Sequence, residues 1–378
     1  MTWLAYFILG SQLLRFLVSL SNLITIQWLK KADTDQTEKT ALSPQVSVLI
    51  PARNEEDKID KLLNDLLRQD YKNFEVLVYD DLSDDKTVTK VKEFIGQSSR
   101  IGLLKGSLLP AGWLGKNYAC HRLSLEAKGE FLLFLDADVR AQPSLIKNSL
   151  AHMQKHRLDL LSIFPKQVMK TFGEKITVPV MNWVLTGLLP LILTRISSWP
   201  SFSAANGQFM LFRADVYHRY GFHSMIKGEI VEDIEIFRQM KKTGLRTHTI
   251  LSNGDITCRM YGSWSDAIKG FSRNVTEFFG GHTIVAVLFA LLTTLGFIPV
   301  ILYLPPEAVL AFFTLLVFHR TLISGLSRQP VLQNLLLAPL QQFSFCTMIA
   351  AAICNRARHT MTWKGRVIYG ATTKTRVI

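Results

Sequence analysis

The chain has 378 residues, a net charge of +13 from 43 Lys and Arg against 30 Asp and Glu, and 48% apolar side chains. That length suits one large core with added elements, and the apolar share is too high for a plain soluble enzyme. Cys120, Cys258, Cys346 and Cys354 have neither metal-ligand nor disulfide-framework spacing, which fits a reducing cytosolic face. With no aromatic-interleaved basic patch or nucleic-acid module, the charge points to an anionic bilayer or a phosphate-bearing substrate, with no nucleic acid as partner.

In chain order, residues 3–28 are long enough to cross about 30 Å of hydrocarbon as a helix, with Trp3 and Trp28 where amphipathic rings favour the interface. Arg15 interrupts the run, so this helix is expected to pack against others, tilt, or sit partly in the interface. No basic n-region or small-residue cleavage site marks a signal peptide, so residues 1–30 are read as a retained anchor. Residues 31–44, with "DTDQTEKT", form a polar linker. A catalytic domain is expected over 45–275 and a C-terminal membrane region with a basic tail over 276–378.

Strands are predicted at "QVSVLIP" (45–51), "FEVLVYD" (74–80), "IGLLKG" (101–106) and "EFLLFLD" (130–136), with helices after 59, near 85–95 and near 115–127. Continuous apolar strands alternating with helices indicate an α/β fold whose mostly parallel sheet is covered on both faces. Ligands of such sheets sit outside the carboxyl ends of the strands. The acidic strand ends at "ARNEE", at Asp80 and Asp81, and at Asp136 and Asp138 therefore converge on one edge.

Residues 176–194 are apolar but are read as an interfacial helix or hairpin broken by Pro179 and Pro190, because a single crossing would separate Asp136 from the acids near 232. A strand at "NGQFMLFR" (206–213), a helix from Glu229 to Lys242 and a strand at "LRTHTI" (245–250) follow. Apolar segments then run at 284–304, about 307–325 and 331–353, the middle one carrying His319 and Arg320. The basic residues after Cys354 favour the cytoplasmic side, so two full C-terminal crossings are expected.

Asp136 and Asp138 can hold a hard divalent cation through oxygen ligands, or be turn and cap residues. A calcium loop fails, since "DADVRAQ" puts Arg140 where an acid is required. Lys116 opens a helix where backbone N–H groups and an ammonium would both meet phosphate, or is a solvated lysine. Glu232 and Asp233 are site acids or first-turn acids favoured by the helix dipole.

Taken together, "VSVLIPARNEE", "VYDDLSDDKT", "GWLGKNYAC", "LFLDADV", "NGQFMLFR" and "VEDIEIFRQMKKTG", in that order from Val46 to Trp264, resemble family 2 glycosyltransferases of the GT-A fold. Flanking anchors and "CRMYGSW" make the chain similar to membrane enzymes of that family that glycosylate carotenoids or other lipids. The resemblance implies a nucleotide edge of Ala52, Arg53 and Glu55, with Asp81 on the donor's nucleoside and Asp84 a further candidate. It also implies a D-x-D pair, Asp136 on the diphosphate and Asp138 as the more direct ligand of Mn²⁺ or Mg²⁺, with Lys116 beside the diphosphate and Asp233 as base. Of the Q-x-x-R-W motif of processive members only Arg259 and Trp264 remain, at different spacing, which favours a single transfer. The implied activity is inverting transfer of one sugar from a nucleotide-sugar, a UDP-sugar by preference, to a lipid hydroxyl or carboxyl. Such an enzyme would be multi-pass in the plasma membrane with its catalytic domain cytoplasmic. Transfer to a polyprenyl phosphate, or a non-catalytic membrane protein with a degenerate domain, are the rival readings.

Overall fold

A computed structural model describes residues 1–31 and 43–357, together with the backbone of 358, 362–363 and 366–367. Most of the predicted linker and basic tail lie outside the described residues. The chain divides into two compact units, each assembled from separate stretches of sequence: one from 27–166 and 197–258, the other from 1–26, 167–196 and 259–360.

The first unit is built on β1 (Val46–Ala52), β2 (Phe74–Asp80), β3 (Ile101–Lys105), β4 (Phe131–Leu135), β5 (Val139–Ala141), β6 (Leu160–Phe164), β7 (Lys166–Gln167), β8 (Phe209–Arg213), β9 (Thr247–Leu251) and β10 (Ile256–Cys258). Seven of these form one sheet in the order β3-β2-β1-β4-β8-β6-β9. The neighbours β1, β2, β3 and β4 pair in parallel, as do β6 and β9, while β8 runs antiparallel between β4 and β6. The predicted mostly parallel α/β sheet is therefore present, with one reversed strand. Reversal brings the amino end of β8 to the carboxyl end of β4, so the "NGQ" turn before β8 joins the acidic strand ends.

Helix Ile59–Leu67 buries Ile59, Leu62, Leu63 and Leu66 at helical spacing. On another face of the sheet, helices Gly115–Glu126 and Glu232–Lys242 pack Leu123, Phe237 and Met240 against Leu132, Phe134 and Phe212, and the rings of Phe134 and Phe212 meet edge to face at 5.7 Å. Beyond Asp138, Arg140 on β5 makes a two-pronged pair with buried Asp65, at 2.6 and 2.8 Å, and Ala141 donates its N–H to the same carboxylate at 3.1 Å. β5 also pairs antiparallel with β10, Val139 opposite Cys258. The Asp136–Asp138 loop is thus pinned on both sides.

The second unit is helical, and its first helix reverses the usual polarity. Helix Thr2–Thr25 buries Ala5, Ile8, Gln12, Arg15, Ser19 and Asn22, alternately three and four residues apart, and exposes Trp3, Phe7, Leu14 and Ile24. A polar stripe inside and large apolar side chains outside suit a hydrocarbon solvent. Thr2–Thr25 and Pro306–Leu326 are long and apolar enough to cross a membrane. Thr283–Leu295 and Phe297–Tyr303 are a third candidate if the pair, bent by 49°, counts as one span. Of the predicted C-terminal segments, the middle one, with His319 and Arg320, is thus the unbroken apolar helix. Arg320 turns inward, its guanidinium 4.8 Å from the Trp183 ring and 3.3 Å from Gln341 Oε1, rather than snorkelling outward.

The apolar run at 176–194 is broken where expected, into Phe172–Thr177, Pro179–Leu188 and Leu191–Ile196. Asn22 serves the second break. Its Nδ2 donates to the carbonyls of Thr186 and Leu189 at 2.8 and 2.9 Å, and its Oδ1 accepts the Leu191 N–H at 2.6 Å. Those backbone groups lose helical partners around Pro190, and unpaired they would be costly away from water. Asn22→Ala is expected to destabilise this unit by about 1–3 kcal/mol, read as a lowered unfolding midpoint in detergent, while Ile24→Ala on the exposed face leaves the midpoint nearly unchanged.

Candidate active site

The carboxyl end of β4, the turn before β8 and the first turn of helix Glu232–Lys242 meet around one ammonium. Lys116 Nζ lies 2.8 Å from Asp136 Oδ1, 3.2 Å from Asp136 Oδ2 and 2.9 Å from Glu232 Oε1. Its helix starts at Gly115, and Leu114 N–H is held by the Lys227 carbonyl at 2.8 Å. Asn117 fixes the same approach by donating to the carbonyls of Ile226, Lys227 and Glu229. Burial alone would weaken the ammonium's hold on its proton, but Asp136 and Glu232 reverse that and keep it charged well above the ordinary lysine range.

Gly207 forms the floor beneath this group. A Cβ there would stand 2.9 Å from both Glu232 Oε1 and Lys116 Nζ, and 3.6 Å from Asp233 Oδ2. Its N–H donates to Asp233 Oδ2 at 2.8 Å, and Ile234 N–H donates to Asp233 Oδ1 at 2.8 Å. Asp233 is therefore aimed by two backbone donors. Burial first, and then the charge of Glu232, push its carboxyl up to about 7 against the opposing pull of Lys116 and those two donors.

Asp138 sits on the other side of the D-x-D loop. Its Oδ2 is 3.7 Å from Lys58 Nζ, which is also 3.9 Å from Glu55 Oε2. Burial and the neighbouring Asp136 raise the Asp138 carboxyl to about 6, with Lys58 opposing. Gln208 Nε2 approaches Asp138 Oδ1 at 3.4 Å and donates to Cys258 Sγ at 2.9 Å, leaving its buried Oε1 with no hydrogen-bond partner among the described residues. Five carboxyl groups (Glu55, Asp136, Asp138, Glu232, Asp233) thus share two ammonium groups. That surplus of negative charge, with an orphaned amide oxygen next to Asp138, fits a hard divalent cation bound through oxygen.

A second part of the edge is a knit of two loops. Asp81 N–H donates to the Ala52 carbonyl at 2.8 Å, and Arg53 donates to the carbonyls of Asp81 and Leu82 at 2.5 and 3.0 Å. Asn54 and Leu82 take left-handed φ angles of 52° and 56°, so each loop turns sharply as it leaves its strand. Glu55 N–H is held by Thr87 Oγ1 at 2.8 Å, and Asp84 N–H by Asn54 Oδ1 at 3.1 Å. Asp81 is buried.

Of the residues singled out in the sequence, Lys116, Asp136, Asp138, Glu232 and Asp233 come together, and Ala52, Arg53, Glu55 and Asp81 lie along the same sheet edge. Arg259 and Trp264 belong to the helical unit, where Arg259 pairs with fully buried Glu174 at 2.8 Å and the Trp264 indole donates to Ser344 at 3.1 Å. Gly207, Gln208 and Lys58 were not singled out. The polar "NGQ" before an apolar strand was a usable signal for the first two. Nothing in the local sequence distinguishes Lys58 from a solvated lysine.

Residues 47–221 match the family model described as glycosyl transferase family 2, bearing out the resemblance carried by the motifs. The chain is 24% identical over 251 residues to 4,4'-diaponeurosporenoate glycosyltransferase of Staphylococcus haemolyticus, covering 64% of this chain and 64% of that protein. It is 35% identical over 124 residues to poly(ribitol-phosphate) beta-N-acetylglucosaminyltransferase TarS of Staphylococcus aureus, covering 32% of this chain and 21% of the relative. The chain therefore spans less than two thirds of the length of either curated relative. Among solved structures, mannosyltransferase PcManGT from Pyrobaculum calidifontis, in complex with GDP-Man and Mn²⁺, is similar in fold, with a TM-score of 0.57 at 15% identity over 94% of this chain and 99% of that one. The sheet unit is of the GT-A type.

Gly207→Ala would force Lys116 and Glu232 apart and is expected to cost about 1–3 kcal/mol, seen as a lowered unfolding midpoint. Gly262→Ala, where a Cβ meets nothing within 4 Å, serves as the neutral comparison.

Proposed function

With residues 47–221 matching glycosyl transferase family 2 as the premise, we propose that this protein transfers one sugar from a nucleotide-sugar, a UDP-sugar by preference, to a lipid hydroxyl or carboxyl, with inversion at the anomeric carbon. The observation that carries this reading is that Asp233, a carboxyl with an affinity for protons near neutrality, and Lys116, an ammonium held between Asp136 and Glu232, both stand beside Gly207. A proton acceptor and a stabiliser of departing negative charge are the two groups a displacement at an anomeric carbon requires.

In this reading the acceptor oxygen attacks the anomeric carbon as the bond to the diphosphate oxygen breaks. Asp233 takes the acceptor's proton, its carboxylate oriented by Gly207 and Ile234 N–H. Lys116 neutralises charge on the leaving diphosphate, and in the absence of that anion it is parked between Asp136 and Glu232. Asp136 and Asp138, with the Gln208 amide oxygen nearby, would hold Mn²⁺ or Mg²⁺. The cation would supply Lewis-acid stabilisation of the diphosphate. Ala52, Arg53, Glu55 and Asp81 would receive the nucleoside end, Asp84 staying at the rim.

A lipid acceptor is supported by the helical unit, whose outward apolar faces suit a bilayer, and by the name of the diaponeurosporenoate relative. We place the enzyme in the plasma membrane with its sheet unit on the cytoplasmic side. In domain terms, residues 1–30 serve as anchor, 45–275 as the catalytic region with 176–194 at the interface, and 276–378 as the C-terminal membrane region.

The test is nucleotide release by detergent-purified protein offered UDP- and GDP-sugars, with and without Mn²⁺ and a lipid extract, and with poly(ribitol phosphate) as a polymer control. Cation-dependent UDP release that needs the lipid and is lost in Asp138→Asn is the expected result. No nucleotide binding or release by demonstrably folded protein overturns the proposal. Asp233→Asn is expected to slow transfer by roughly 10²–10⁴-fold with donor binding retained.

The pH dependence has a definite sign. Asp233 must be ionised to accept a proton, so kcat/KM should rise with pH through about 7 and fall about tenfold per unit well below it. Because Lys116 holds that affinity down, Lys116→Met should move the acid limb of the profile upward as well as lowering the rate.

A further inference from the structure

The carboxylate cluster occupies the carboxyl ends of the central strands, but a different set of ligands gathers at the far edge of the same sheet. His152 and His156 are four residues apart on helix Leu145–His156 and so share a face, and His248 is the second residue of edge strand β9. One nitrogen from each of the three lies within 4.8 Å of the other two. The closest approach is 3.2 Å, between His152 Nε2 and His248 Nδ1, and the ring centroids are 4.5–5.5 Å apart. His152 is buried and the other two are half-buried.

Topology separates this cluster from the acids. β9 runs parallel to β6, and both run in the direction of β4, so His248 lies near the amino end of its strand while Asp136 follows the carboxyl end of β4. β8 and β6 stand between β4 and β9, which puts the two clusters three strand spacings apart across the sheet, roughly 14 Å, and at opposite strand ends.

We propose that His152, His156 and His248 bind a divalent cation of borderline softness, Zn²⁺ in the first instance, as a clamp between edge strand β9 and helix Leu145–His156. Neutral imidazole is a common ligand for such ions, and the set contains no carboxylate that would favour Mg²⁺ or Ca²⁺. Tetrahedral Zn–N bonds put ligand nitrogens about 3.3 Å apart, which the closest pair already approaches, and the third nitrogen lies within 4.8 Å of both. His156 is the last residue of its helix, where the negative end of the dipole favours a cation. Three ligands leave a fourth position for water. An edge strand held on one side only by β6 is the element that gains most from such a tie.

The test uses full-length protein in detergent, stripped with chelator and then titrated with Zn²⁺ in saturating Mg²⁺, so that the acidic site is masked. Calorimetry should show one equivalent of Zn²⁺, with a raised unfolding midpoint, and Co²⁺ should give the visible absorption of a tetrahedral site. Loss of outer-shell partners alone costs 10–100-fold in affinity, so His156→Ala and His248→Ala should each weaken binding by more than about 100-fold. Asp138→Asn should leave Zn²⁺ binding intact, and the histidine variants should retain Mn²⁺-dependent nucleotide release. His156→Gln, which keeps a polar group at a half-exposed position, guards against a folding defect. Equal Zn²⁺ binding by wild type and the histidine variants, or no Zn²⁺-dependent shift in folded wild type, overturns the assignment.

Discussion

The sheet unit depends on one ammonium held among carboxylates. Lys116 is delivered by the helix after β3, Asp136 by the end of β4 and Glu232 by the first turn of a helix nearly a hundred residues later, and Lys116 and Glu232 close over Gly207. Remove the ammonium and two inward-facing carboxylates lose their partner in a poorly solvated place, which costs far more than an exposed ion pair returns. The same ammonium limits how far Asp233 rises. A single positive charge thereby sets both the cohesion of the strand ends and the proton affinity of the nearest acid.

The two units solve the problem of buried polarity in opposite ways. In the sheet unit, charge is collected at one edge, over a core of Leu, Phe and Met that carries the packing energy. In the helical unit Gln12, Ser19, Asn22, His319, Gln341 and Ser344 are buried beside apolar side chains such as Trp183, Phe345 and Met348, while Trp3, Phe7, Leu14 and many others stay exposed. Hydrogen bonds then do much of the orienting, because apolar burial offers little drive when the surroundings are as apolar as the side chains.

Much of this was legible in the sequence. The strands at 46–52, 74–80, 101–105 and 131–135 were readable because both faces of a parallel sheet are covered, leaving unbroken apolar runs. The acidic ends were readable because a carboxylate closing such a run has no role in the core. What escaped was non-local. Helix Leu145–His156 and β6 follow the D-x-D loop without a strong signal, β5 and β10 are three residues each and exist through pairing, and the reversal of β8 is a matter of sheet order. The inward turn of Arg320 was hidden for a similar reason, since hydropathy records that a charge is present but not which way it points.

The stripe on the first helix also bears on how the protein is made. Ser19 hydrogen-bonds to His319 across 300 residues of sequence. At roughly 5–20 residues per second, the ribosome needs on the order of 15–60 s to supply that partner after the helix has emerged. Asn22 meets its partners at Thr186, Leu189 and Leu191 about half-way through that interval, whereas Ser19 waits for His319 until its end. The contacts that fix the first helix are thus completed in two stages, the Pro190 break first and the C-terminal helix last.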